Sequence, residues 1–128
     1  MKKNTEIRIA GFGGQGIILA GYIIGKAAAI FDDKHSTLIQ SFGPEARGSS
    51  CSAQVIISDT QILYPYLIKP NISLLMSKDA YERFSGELVD GDIMLIEKDL
   101  VHPKKDPRKI DSYAIPATRL AEEMGRRI

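Results

Sequence analysis

The residues of this sequence best suited to chemistry lie in two short segments, Gly11-Phe12-Gly13-Gly14-Gln15-Gly16 and Ser41-Phe42-Gly43-Pro44-Glu45-Ala46-Arg47-Gly48-Ser49-Ser50. Gly11, Gly13 and Gly16 satisfy G-x-G-x-x-G between a predicted strand and a predicted helix. Glycines there permit positive φ, allow a ligand or another backbone to approach, and let helix pack on strand. The helix N-terminus beyond them presents N–H groups to an anion. Beside Gly14, Gln15 is the polar side chain best placed to face a ligand from this turn; the alternative is that it caps the helix. A dinucleotide site also wants an acid at the end of the second strand, where this sequence has Gln40-Ser41, with Asp32 and Asp33 lying before it. NAD or FAD binding is therefore disfavoured. A tight structural turn, or a surface for another phosphate or a partner backbone, remains.

In the second segment, Pro44 and Gly48 bound a loop carrying Glu45 and Arg47. The Arg47 guanidinium is a planar fork suited to carboxylate or phosphate, with Glu45 placed to orient it. A surface ion pair in a well-made turn is the alternative. No catalytic residue and no metal site is assigned. His35 and His102 lack a second ligand at metal spacing, and Cys51 reads as a small apolar filler in a strand. A lone cysteine excludes an internal disulfide and any cysteine-only iron–sulfur or zinc site. Tyr64-Pro65-Tyr66 reads as aromatic packing beside a turn.

The elements that must position these loops follow from periodicity. Residues 6–10 alternate as a first strand, and 17–30 form a helix apolar nearly all round. Residues 36–41 form a second strand, completing a β-α-β unit whose crossover makes the two strands parallel. Further strands are expected at 50–58, 62–64, 72–76, 93–96 and 111–115, with helices at 78–84 and from Pro116 onward. Alternating buried strands and helices predict one Rossmann-like, three-layer α/β domain over residues 1–128, with a largely parallel, mixed sheet.

Composition narrows the partners. Seventeen basic against sixteen acidic residues give +1, with the charges scattered. That balance supplies no field for nucleic acid or anionic lipid. No apolar run approaches a membrane span and no stretch reads as a signal peptide, so a cytoplasmic location is expected.

Taken together, Gly-Phe-Gly-Gly-Gln-Gly at 11–16 and Phe-Gly-Pro-Glu-Ala-Arg-Gly at 42–48, feeding Ala53-Gln54-Val55-Ile56-Ile57-Ser58-Asp59, resemble the gamma subunit of 2-oxoacid:ferredoxin oxidoreductases. The likeness runs on through Met76-Ser77 and Ile115-Pro116-Ala117-Thr118, and the Pro-Glu-Ala-Arg-Gly loop is most similar to the 2-oxoglutarate branch. The resemblance implies a subunit inactive alone, in an enzyme that oxidatively decarboxylates a 2-oxo acid, forms its coenzyme A thioester and passes electrons to ferredoxin. It places thiamine diphosphate, magnesium and the iron–sulfur clusters on alpha, beta and ferredoxin-like partner subunits. The two loops, through Gly11, Gly13, Gly14, Gln15, Gly16, Pro44, Glu45, Arg47 and Gly48, then face those partners or coenzyme A. It further implies an apolar helix beyond Ile128, and hence an exposed apolar face here. A free-standing nucleotide-binding or regulatory α/β domain is the alternative.

Overall fold

Strand β1 (Thr5–Phe12) carries Ile7 and Ile9 to one face of the sheet and Arg8 and Ala10 to the other, and all four are buried. A strand buried on both faces needs a layer on each side, which organises everything else. The computed structural model describes residues 4–42, 50–64 and 69–126. After β1 come α1 (Ile17–Phe31), β2 (His35–Phe42), β3 (Ser50–Ser58), β4 (Ile72–Leu75), α2 (Lys78–Phe84), a 3-10 turn (Ser85–Glu87), β5 (Ile93–Glu97), β6 (Asp111–Ile115) and α3 (Ala117–Arg126).

The six strands form one mixed sheet in the order β2-β3-β1-β4-β5-β6. From β1 outward, β4, β5 and β6 are parallel, as expected. The other half departs from the simple β-α-β reading. β1 and β2 run in the same direction but are not neighbours, because β3 lies between them, antiparallel to both. A short connection lets β3 fold straight back on β2, while α1 carries β2 one strand beyond β1. The expected strand at 62–64 is absent: these residues are irregular, with Leu63 and Tyr64 exposed. Both edges of β1 are already taken by β3 and β4, and Pro65 lacks a ladder donor.

α1 covers one face through Ile17, Gly21, Gly25 and Ala28, and the small Gly21, Gly25 and Ala28 let it lie close over the sheet. A Cβ on Gly21 would stand 3.0 Å from both Ala53 Cβ and Leu38 Cδ1. On the opposite face, Ala80, Leu88 and Val101 close over Ala10, Leu75, Met94 and Ile96. Helix α2 is well specified: Ser77 Oγ accepts from Ala80 N at 3.0 Å, Asp79 sits in the first turn and Arg83 in the last. Beneath it Arg8 donates to both Glu87 carboxylate oxygens at 2.7 and 2.8 Å and stacks 4.4 Å from the Phe84 ring.

At the end of β5, the fully buried Glu97 accepts from Asp99 N at 2.6 Å and from Thr118 N at 2.7 Å. One carboxylate thereby closes the turn after β5 and caps the first turn of α3. Burial pushes its carboxyl pKa up, but the bonds from Thr118 and Asp99 outweigh this and hold it below the usual range. Because the folded-state value is depressed, this contribution is present above pH ~4.3 and lost as pH falls through the folded value. Glu97→Ala leaves buried donors unpaired and should lower unfolding free energy by about 2 kcal/mol at pH 7 in urea titrations. The difference between variant and parent should shrink as the pH is taken below 4.

Candidate functional site

The glycine turn sits at the carboxyl end of β1, and the sheet brings both ends of the second loop to it. Phe12 lies opposite Ser50 and Gly11 opposite Cys51, while Phe42 lies opposite Cys51 on the far side of β3. Pro44, Glu45, Arg47 and Gly48 themselves fall outside the described residues. The two segments singled out by spacing thus leave from one edge of the fold, where ligands dock on open α/β sheets.

Within the turn, Gln15 is directed onto the backbone. Its Oε1 accepts from Phe12 N at 2.7 Å and its Nε2 donates to Met76 O at 3.0 Å. Its own N–H bonds Phe12 O at 3.2 Å, and Met76 N reaches Ala10 O at 2.8 Å. The side chain therefore staples the turn to the end of β4. It does not cap α1, whose N-cap, Gly16, makes no side-chain cap bond. Gly14 and Gly16 take φ of 90° and 78°, which a side chain would strain. Gly11 is required by space: a Cβ there would stand 2.4 Å from Gln15 Oε1 and 2.9 Å from Met76 Cβ. Gly13, Gly14 and Gly16 are exposed, leaving the outer side of the turn open.

Beside this edge a cleft of about 220 Å³ opens between β3 and α2, lined among others by Arg8, Gly11, Phe42, Cys51, Arg83 and Phe84. Arg83 is half exposed; its Nη1 donates to Ser50 Oγ at 2.9 Å, and its guanidinium lies 5.3 Å from the Phe84 ring. Asp79 pairs with it at 3.7 Å. Arg8, Arg83 and Phe84 carried no motif, and only the fold shows them converging. The one signal was Arg8, a charge inside an apolar strand.

The chemistry available is recognition. Cys51 is buried, and burial pushes its thiol pKa up, which makes it a poor nucleophile. His35 and His102 are exposed and lie at opposite ends of the chain's topology, one opening β2 and one in the loop after β5. Among the described residues, no three His, Cys, Asp or Glu side chains are grouped to hold a metal. Nor is any described helix long and apolar enough to cross a membrane. A planar cation stacked on an aromatic ring beside an open glycine turn suits an anionic group or a partner's backbone.

Residues 6–128 match the family model described as pyruvate ferredoxin/flavodoxin oxidoreductase. The 2-oxoglutarate synthase subunit KorC of Methanocaldococcus jannaschii is 46% identical over 96% of this chain and 66% of its own length. The chain therefore spans just under two-thirds of that relative. The crystal structure of a keto/oxoacid ferredoxin oxidoreductase gamma subunit from Geobacter sulfurreducens superposes with a TM-score of 0.73 at 37% identity, covering 88% of this chain and 60% of that one. A 2-oxoglutarate:ferredoxin oxidoreductase from Magnetococcus marinus, with 2-oxoglutarate, coenzyme A and succinyl-CoA bound, superposes at 0.82 with 26% identity, over 98% of this chain and 22% of that one.

Gln15→Ala removes both staple bonds, so unfolding free energy should fall by about 1 kcal/mol in urea titrations. Amide exchange at Phe12 should accelerate more than at Ile9 in the middle of β1. Unchanged exchange at Phe12 would contradict the staple.

Proposed function

The chain belongs to the pyruvate ferredoxin/flavodoxin oxidoreductase family, and on that premise we propose that it is the gamma subunit of a cytoplasmic 2-oxoglutarate:ferredoxin oxidoreductase. The observation that carries this reading is the pairing of an open glycine turn with the Ser41–Ser50 loop on one sheet edge, in a chain 46% identical to a 2-oxoglutarate synthase subunit. The enzyme would decarboxylate 2-oxoglutarate, pass the electrons to ferredoxin and release the acyl group as a coenzyme A thioester.

In this reading the chain binds and positions, and the bond-breaking chemistry lies elsewhere. One cysteine does not suffice to hold a four-cysteine cluster, and the described residues offer no metal-holding group. Thiamine diphosphate, which supplies the carbanion chemistry when bound, is assigned with magnesium and the clusters to alpha, beta and ferredoxin-like partner subunits. This chain's contribution is the edge itself. The exposed outer side of Gly13, Gly14 and Gly16 accepts a partner backbone or a coenzyme A phosphate at the start of α1. Arg83, held by Ser50 and Phe84, adds positive charge for the same anion. Gln15 keeps that surface fixed, because its own polar atoms are already bonded to Phe12 and Met76.

The test is co-expression with candidate alpha and beta subunits. The chain should co-purify with them and show no turnover alone. The complex should reduce ferredoxin with 2-oxoglutarate in preference to pyruvate or a branched-chain 2-oxo acid. Arg83→Ala in that complex should raise KM for coenzyme A several-fold while leaving kcat near the parent value. Failure to assemble would overturn the subunit reading, and an unchanged KM would remove coenzyme A from this edge. Micromolar binding of a dinucleotide by the isolated chain would favour a free-standing nucleotide-binding domain instead.

A further inference from the structure

Arg8 interrupts the apolar run of β1 and is only 9% exposed. Burying a charge is costly, and a buried ion pair is a weak stabiliser, since an apolar pair of the same size ties two elements together as well or better. Stability alone therefore does not account for Arg8. Its geometry points toward the cleft. Nε and Nη2 bond both Glu87 oxygens, at 2.7 and 2.8 Å, and a two-point contact of this kind fixes the plane of the guanidinium. The group lies over the Phe84 ring, 4.4 Å from its centroid. The same ring carries the Arg83 guanidinium at 5.3 Å. Two cations thus share one ring, each with its own carboxylate: Arg8 with Glu87, and Arg83 with Asp79 at 3.7 Å.

Arg83 sits in the last turn of a seven-residue helix, with half of its side chain in solvent. A long side chain in such a place keeps much of its rotamer freedom unless the surface it rests on is fixed. That surface is Phe84, half-buried and packed against the cluster that holds Ala80 and Leu88. We propose that Arg8 is a positioning residue. With Glu87 it fixes the Phe84 ring, and the ring sets the Arg83 guanidinium against Ser50 Oγ in the wall of the cleft, ready for an anion. Arg8 lies three residues before Gly11, so a single strand places both the glycine turn and the cation beside it. The inference rests on the reading of this edge as an anion site, and Arg8 acts there only through Arg83.

The test replaces the pair together, Arg8→Met with Glu87→Met, so that no buried charge is left alone. In the 128-residue chain, the Arg83 side-chain protons should lose most of the ring-current shift that Phe84 gives them, with the melting temperature close to the parent's. This readout needs neither partner subunits nor coenzyme A. In the assembled enzyme the same replacement should raise KM for coenzyme A several-fold with kcat near the parent value. In an Arg83→Ala background it should add nothing further, because the two residues act as one unit. Arg8→Lys keeps the charge but loses the planar stack and the paired bonds; it should give the same results, and it serves if the double variant does not fold. An unchanged ring-current shift would overturn the proposal. So would KM effects that simply multiply, or a KM that Arg83→Ala raises and the Arg8 variants do not. If Arg83→Ala alone leaves KM unchanged, coenzyme A is removed from this edge, and the ring-current shift decides by itself whether Arg8 positions Arg83.

Discussion

The Gln15 side chain is the constraint on which the working edge of this protein depends. Glycines make the turn after β1 possible, but they also leave it soft, since nothing in a glycine backbone selects one conformation. Gln15 selects one by bonding Phe12 N and Met76 O together, which joins the turn to the end of β4. Gly11 must lack a side chain for that amide to fit. The turn, the first residue of α1 and the end of the neighbouring strand thereby become one rigid unit, whose exposed outer side is free for recognition. Rigidity established before binding lowers the ordering cost of the contact that follows.

A second buried polar anchor works the same way at the carboxyl end of β5, the strand beyond β4. Glu97 is fully buried, and its carboxylate accepts from the backbone N–H groups of Asp99 and Thr118. A carboxylate satisfied in this way is an orientation device. It fixes where α3 starts while leaving the outer face of that helix exposed, with Leu120 and Met124 in solvent. Arg8 on Glu87 and Arg108 on the carbonyls of Ser85 and Leu88 do similar work on the α2 side, tying the 3-10 turn to the sheet and to the loop after β5. The fold is thus held by a few long-range polar ties across a core made mostly of small and branched aliphatics.

Much of this was legible in the sequence. Apolar alternation located β1, β2, β3 and β5 to within a residue or two, and the class of fold followed from their alternation with helices. What periodicity does not encode is which strand lies beside which. The sequence order β1-α1-β2 reads naturally as a pair of neighbours, yet β3 occupies the place between them, because folding back on β2 closes a short connection and leaves β1 an edge to fill. Residues 62–64 show the converse: a β-rich triplet just before Pro65 stays irregular and joins no strand of the sheet. For the site, spacing found the glycine turn and the loop opposite it, but assigned Gln15 outward where the structure turns it inward. Arg83 and Phe84 were invisible for a plain reason. They lie on a short helix far along the chain, and only the parallel placement of β4 beside β1 brings them to the same edge.

If a partner surface or coenzyme A meets the two-loop edge, the outer side of the glycine turn is where the change on assembly must register. Hydrogen exchange of residues 11–16 and 50–52, measured on the chain alone and again in the assembled enzyme with coenzyme A, reads that surface directly. The account predicts that exchange at Gly13, Gly14 and Gly16 slows markedly on assembly or on addition of coenzyme A, while Ile9 in the strand below is unchanged. Exchange at those three glycines that is identical in the isolated chain and the loaded complex would contradict it.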